Sequence, residues 1–185
     1  MKNKAFLFDR DGTLIKDKNY ICEFSEVEIY SYSFEALKIT EKKGFLSIGI
    51  TNQSSIARGI CKEEQVRTIH KSLISIFKKE SINIVKIYYC PFHENAIISE
   101  YKKNATCRKP APGMILKAAQ EFNLNLSKSY MVGDSTRDII AGINAGCKTA
   151  LVMTGNGKKS IKELETLNIK PDLIAKNILE IANLV

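Results

Sequence analysis

No stretch of this 185-residue sequence approaches the roughly 20 consecutive apolar residues that a membrane span requires, so no spanning segment and no membrane partner are expected. The start, Met1-Lys2-Asn3-Lys4, runs into a short strand-like segment rather than the apolar core of a secretory signal, which predicts a cytoplasmic protein. Basic blocks are missing as well. The net charge is +8, yet no run holds more than two consecutive Lys or Arg. That argues against a nucleic-acid partner and for a soluble surface that tolerates anionic substrates. Cysteine is sparse: Cys22, Cys61, Cys90, Cys107 and Cys147 form an odd, scattered set unlike the dense frameworks of small secreted domains. Reduced thiols are the expectation, and Cys22, Cys61 and Cys147 read as small buried side chains without a catalytic role. There is no internal repeat, low-complexity tract or linker. At 44% apolar, a chain of this length fills one well-buried core. One domain over residues 1–185, acting as a monomer, is therefore expected.

Apolar strand-like runs at 4–8, 45–50, 84–89, 129–132 and 148–152 alternate with amphipathic stretches near 33–43, 63–80, 112–123, 136–145 and 160–168, and a last strand and helix follow Pro171. Strict alternation predicts parallel pairing through right-handed crossovers, hence an α/β, doubly wound parallel sheet with helices on both faces and no separate cap domain. Two segments break the rhythm, 12–30 and 90–110. Both follow strand ends and are expected to overhang the same sheet edge.

Polar clusters sit at four strand ends. The first is Phe8-Asp9-Arg10-Asp11-Gly12-Thr13, where the apolar run Ala5-Phe6-Leu7-Phe8 stops at two carboxylates. Open α/β folds place ligands at the carboxyl edge of the sheet, and neighbouring carboxylates with oxygen ligands invite Mg²⁺. A D-x-D-G-T string arises by chance in only about one chain in several hundred of this length. The second cluster, Thr51-Asn52-Gln53-Ser54-Ser55-Ile56-Ala57-Arg58-Gly59, offers hydroxyls, amides and backbone N–H groups to a phosphate. The third, Cys107-Arg108-Lys109-Pro110-Ala111-Pro112-Gly113, brings two cations that would stabilise a phosphoryl group. The fourth, Val132-Gly133-Asp134-Ser135-Thr136-Arg137-Asp138, returns two more carboxylates, with Asp134 or Ser135 placed to cap the next helix. Gly155-Asn156-Gly157-Lys158 is either a phosphate-binding turn or a loop closing over the metal edge.

In this order the four segments resemble the motifs of the haloacid dehalogenase superfamily, and the resemblance covers nearly the whole chain. The wording Thr-Asn-Gln-Ser-x-Ile-Ala-Arg-Gly, Tyr-Tyr-Cys-Pro, Cys-Arg-Lys-Pro-x-Pro-Gly-Met and Met-Val-Gly-Asp is similar to the branch of D-glycero-D-manno-heptose 1,7-bisphosphate phosphatases and histidinol phosphatases. The resemblance implies Asp9 as nucleophile, Asp11 as general acid and base, and Thr51 and Lys109 as phosphate-holding groups. It implies Mg²⁺ on Asp9, Asp11 and Asp134. It further implies Asp17, Tyr20, Asn52, Gln53, Ser54, Arg58 and Arg108 as substrate contacts. A small phosphorylated sugar, heptose bisphosphate first, is the implied substrate; histidinol phosphate or another sugar phosphate is the alternative, and a catalytically silent sugar-phosphate binder the rival of another class. A polynucleotide phosphatase is more distant.

Two departures stand out. The resembled family carries a zinc loop of the form Cys-x-His then Cys-x-Cys, whereas this chain reads Cys90-Pro91-Phe92-His93 and Ala105-Thr106-Cys107. Cys90, His93 and Cys107 are three potential zinc ligands where a closed site takes four, and an apolar or hydrogen-bonded loop is expected, with His93 a surface histidine. Ser135 stands where those phosphatases tend to carry a lysine, which removes a candidate cation for a second phosphate. His70, inside a helix pattern, reads as a solvated or capping residue.

Overall fold

The computed structural model describes residues 2–185. Six strands run β1 (Lys4–Phe8), β2 (Phe45–Asn52), β3 (Ile84–Cys90), β4 (Tyr130–Gly133), β5 (Lys148–Val152) and β6 (Leu173–Ala175). Seven helices lie between and after them: α1 (Tyr32–Lys42), α2 (Ser54–Ala57), α3 (Glu63–Lys79), α4 (Gly113–Glu121), α5 (Thr136–Ala145), α6 (Gly157–Thr166) and α7 (Ile178–Leu184). The strands form one all-parallel sheet in the order β3-β2-β1-β4-β5-β6. The expected doubly wound sheet is the observed one.

The period of two in β1 explains how both faces are covered. Ala5 and Leu7 point to one face, where they join Ile48, Ile50, Met114, Ile115, Ala118 and Ala141; Phe6 and Phe8 point to the other, with Leu37, Leu73, Phe77 and Ile181. Each fully buried Leu, Ile or Phe among them contributes about 1.5–3 kcal/mol, so β1 is held at the centre of the sheet from both sides. The chain reverses direction across the sheet at β1. To one side lies β2 and to the other β4, and between their carboxyl ends the switch point opens the crevice in which such folds bind ligands.

Helix boundaries differ from expectation by up to three residues. The largest shift is in α6, which begins at Gly157 because the Thr154–Gly157 turn feeds straight into it, Gly157 N–H donating to the Thr154 carbonyl at 2.9 Å. Single-turn α2 was too short to leave a periodic signal.

One expectation is overturned outright. Cys22 and Cys61 are joined by a disulfide, with Cα atoms 5.3 Å apart. They are 39 residues apart in sequence, and only the folding back of segment 12–30 onto the turn between α2 and α3 brings them together. That segment is a flap pinned at its base by bridges from Ile15 to Asp11 and Ile29, and by the Lys16 N–H donating to the Glu28 carbonyl at 2.8 Å. Gln65 on α3 also donates to the Glu23 carboxylate at 2.7 Å.

Candidate active site

The two strands flanking the switch point end in the two central carboxylates. Asp9 follows β1, its N–H donating to the Val132 carbonyl of β4 at 2.9 Å, and Asp134 follows β4. Asp138, in the first turn of α5, completes a buried group in which one oxygen from each of the three carboxylates lies within 4.8 Å of the others. Among the described residues it is the sole His/Cys/Asp/Glu group close enough to share a metal ion.

Three buried carboxylates in this space repel when ionised, and one buried cation answers them. Lys109 Nζ lies 2.8 Å from Asp9 Oδ1 and 2.6 Å from Asp138 Oδ1, and donates to the Ile50 carbonyl at 2.6 Å. Burial pushes the Asp9 carboxyl up to about 6 despite Lys109, and pushes Asp134, with Asp138 and Asp9 beside it, up to about 8. One ammonium against three carboxylates leaves an excess of negative charge. The hard oxygen donor set therefore fits a divalent cation such as Mg²⁺.

Asp138 is fixed by its own helix. Its Oδ2 accepts from the Ser135 N–H at 3.0 Å and the Ser135 hydroxyl at 2.7 Å, a capping box that makes Ser135 the α5 N-cap. A Cβ on Gly133 would collide with this carboxylate. Asp134 is enclosed by the β5–α6 loop: Asn156 donates to its Oδ2 from N–H at 2.7 Å and from Nδ2 at 3.1 Å, and Thr154 donates to the Gly12 carbonyl at 2.5 Å. The 154–157 turn thus closes over the metal edge. Gly12 (φ +78°) and Gly155 (φ +50°) pack so closely on the Asp134 carboxylate that a side chain on either would strike it.

Asp11 is oriented by a buried network. Arg10, 1% exposed, donates from Nε and Nη2 to its carboxylate at 2.9–3.1 Å. Gln53 donates to Asp11 Oδ2 at 2.9 Å and to Thr51 Oγ1 at 3.0 Å while accepting from Arg10 at 3.0 Å. His70 on α3 meets Arg10 Nη1 at 3.1 Å. Burial and the Arg10 charge pull its imidazole down to about 3, so it is neutral and accepts. This corrects the reading of His70 as solvated or capping: α3 carries it inward beneath the first motif.

A cavity of about 290 Å³ brings together Asp9, Asp11, Asp17, Tyr20, Thr51, Asn52, Gln53, Ser54, Arg58, Arg108, Lys109 and Asp134, the whole of the sequence-predicted catalytic, substrate and magnesium set. Two of the expected substrate contacts are already engaged within the protein. Asn52 accepts from the Lys109 N–H and donates to the Lys109 carbonyl, both at 3.1 Å, and Gln53 serves the Arg10–Asp11 network. Segments 12–30 and 90–110 do overhang this edge, supplying Asp17 and Tyr20 from one and His93 and Arg108 from the other.

Arg137 and His93 also line the cavity and were not singled out for it. Arg137 lies in the first turn of α5, two residues after the Ser135 cap, a position that marks it only once α5 is known to point its N-terminus at the site. His93 is held low by burial and by the Arg108 and Arg58 charges. Rather than converging with Cys90 and Cys107, it accepts from the Asn95 N–H through Nδ1 at 3.0 Å and faces the cavity. Phe92 and Ala105, at the positions of the missing ligands, pack into the apolar cluster under α4.

A HAD-hydrolase-like family model matches residues 106–181. The D-glycero-beta-D-manno-heptose-1,7-bisphosphate 7-phosphatase of Pasteurella multocida (strain Pm70) is 39% identical over 178 residues, covering 92% of this chain and 96% of that protein. The D-glycero-alpha-D-manno-heptose-1,7-bisphosphate 7-phosphatase of Burkholderia mallei (strain ATCC 23344) is 38% identical over 153 residues, covering 83% and 81%. The solved structure of D,D-heptose 1,7-bisphosphate phosphatase from B. bronchiseptica, complexed with magnesium and phosphate, superposes with a TM-score of 0.85 at 27% identity, covering 98% of this chain and 97% of that one. With its aspartate pair, buried lysine and carboxylate cluster in the order of the superfamily motifs, this chain belongs to the haloacid dehalogenase-like hydrolases, in the family of the heptose bisphosphate phosphatases.

Proposed function

We propose that this chain hydrolyses the 7-phosphate of D-glycero-D-manno-heptose 1,7-bisphosphate through a phospho-enzyme on Asp9. The observation that carries the reading is the position of Asp9: a carboxylate at the switch point, 2.8 Å from a buried lysine, inside a cavity whose outer wall is arginine-rich.

In this mechanism an Asp9 oxygen attacks phosphorus in line and expels the sugar oxygen. Lys109 and the Thr51 hydroxyl hold the transferring oxygens. Asp11, oriented by Arg10 and Gln53, gives its proton to the leaving oxygen, then takes one from the water that cleaves the aspartyl phosphate. Asp9, the Asp11 backbone carbonyl and Asp134 would hold Mg²⁺, which when bound neutralises phosphate charge and lets the carboxylates stand together ionised. Asp138 keeps Lys109 in place from the far side.

The second phosphate needs its own cations, and Ser135 supplies none. Arg58, Arg108 and Arg137 line the cavity, and no ion pair of the described residues engages any of them. Burial and the neighbouring Arg137 and Arg58 charges hold Arg108 below its ordinary value. Three guanidinium groups on one cavity with no carboxylate partner are a receiver for an anionic group, and they support a bisphosphate substrate in spite of the missing lysine. One catalytic domain spanning the chain and a cytoplasmic setting complete the proposal.

The deciding experiment is phosphate release from heptose 1,7-bisphosphate, sugar monophosphates and histidinol phosphate, with Mg²⁺ or EDTA, by wild type and Asp9→Asn. Mg²⁺-dependent turnover led by the heptose bisphosphate and lost in the variant is expected. Preference for histidinol phosphate would overturn the substrate, and absence of any turnover would overturn the mechanism.

A further inference from the structure

Outside the phosphoryl-transfer site, two thiols stand in unusual contact. Cys90 ends β3 and is fully buried; Cys107, 17 residues later, is half-buried in the loop that carries Lys109. Their sulfurs are 2.7 Å apart. Non-bonded carbons already prefer about 3.5–4.0 Å, and sulfur is larger, whereas a disulfide closes at about 2.05 Å. The two sulfurs are therefore in direct contact, with nothing between them. Among the described residues no third His, Cys, Asp or Glu ligand atom joins the pair: His93 accepts from Asn95, and Phe92 and Ala105 pack into the apolar cluster beside it.

We propose that Cys90 and Cys107 form a reversible dithiol–disulfide site, oxidised by peroxide, that pins the Lys109 loop to the end of β3. The chemistry is split between the two thiols by their environments. Cys107 is half-buried, so peroxide reaches it, while Cys90 is fully buried and in contact with it, placed to resolve the product. The Cys107 thiolate attacks hydrogen peroxide, taking one oxygen as the sulfenic acid and releasing hydroxide. The Cys90 thiol then attacks that sulfur, the S–O bond breaks, and the proton from Cys90 leaves with the oxygen as water. In sum two thiols and one peroxide give one disulfide and two waters. Cys147, the remaining free cysteine, is buried and pushed up to about 12, so it stays a thiol.

The test is peptide mapping by mass spectrometry of the full chain before and after stoichiometric peroxide, together with metal analysis and melting curves. The expected product is a Cys90–Cys107 linked peptide pair two hydrogens lighter than the reduced peptides, undone by dithiothreitol. The oxidised protein should melt several degrees higher than the reduced one, because the closed loop constrains the unfolded chain. Cys107→Ser should show neither the link nor the peroxide-induced gain, and Cys147→Ser should behave as wild type. Sulfinic acid at Cys107 without a link, or a link from Cys90 or Cys107 to any other cysteine, would overturn the proposal. So would stoichiometric zinc in the purified protein that peroxide releases from these thiols.

Discussion

At the scale of single residues, the site is a problem of charge crowding with a limited set of solutions. Asp9 and Lys109 are each other's partner, so their removal has different signatures. Asp9→Asn deletes the proposed nucleophile and should lower kcat by at least about 10³-fold, on the scale seen when a covalent nucleophile is lost, while melting at or above the wild-type temperature in EDTA because a buried charge is gone. Lys109→Met should lower kcat comparably and also destabilise by about 3–5 kcal/mol, since Asp9 and Asp138 then face each other uncompensated; calorimetry in EDTA separates the two. At the outer wall, Arg137→Gln should raise KM for the bisphosphate about tenfold or more and leave a sugar monophosphate nearly untouched, with Arg137→Lys recovering part of the loss. An equal effect on both substrates would show that Arg137 does not meet the second phosphate.

At the scale of elements, local signals and tertiary accidents separate cleanly. The strand that ends at Asp9, the helix that starts after Asp134 and the order of the four polar clusters were legible, because each is written in a few adjacent residues. Arg10 and His70 were not. Arg10 carried no signal of its own and His70 read as solvated or capping, and only the approach of α3 beneath the first motif makes them a buried pair. The Cys22–Cys61 link was missed for a related reason: an odd count and wide spacing speak of free thiols until the flap is folded down. Loop 90–110 was half legible, its departure from the zinc pattern visible but the approach of Cys90 to Cys107 not. Capping gives an element-scale prediction away from the site. Asn177 accepts from the Leu179 and Glu180 N–H groups at the start of α7 at 3.0 and 3.1 Å. Asn177→Ala should cost about 1 kcal/mol, lower Tm by about 2–4 °C for a chain of this size, and leave kcat/KM unchanged.

For the whole molecule, the carboxylate cluster couples stability to pH and metal. Asp9 and Asp134 have raised native values, about 6 and about 8 against an ordinary 3.8, so in EDTA the folded state binds more protons than the unfolded state between about pH 4 and 8. Stability contributed by the protonated forms is complete below the unfolded value and is lost as pH rises through the folded ones. The metal-free protein should therefore melt higher at pH 5 than at pH 8, and Mg²⁺ should raise Tm more at pH 8 than at pH 5. A pH-independent Mg²⁺ effect would count against the cluster as the binding site. Reduction of Cys22–Cys61 tests a different global constraint. Closing a loop of 39 residues is worth roughly 4 kcal/mol, so Cys22→Ser with Cys61→Ser should lower Tm by about 10 °C and raise KM more than it lowers kcat, since the flap bearing Asp17 and Tyr20 is released.

The Asn52 side chain bonds to the Lys109 main chain at both its N–H and its carbonyl, as one strand residue addresses the next. An amide that reads only backbone is blind to what the loop is made of. Residues 91–106 can then exchange ligands for carbon, lengthen or shorten, while the lysine stays docked at the end of β2. The buried cation is thus insulated from changes in the loop that delivers it.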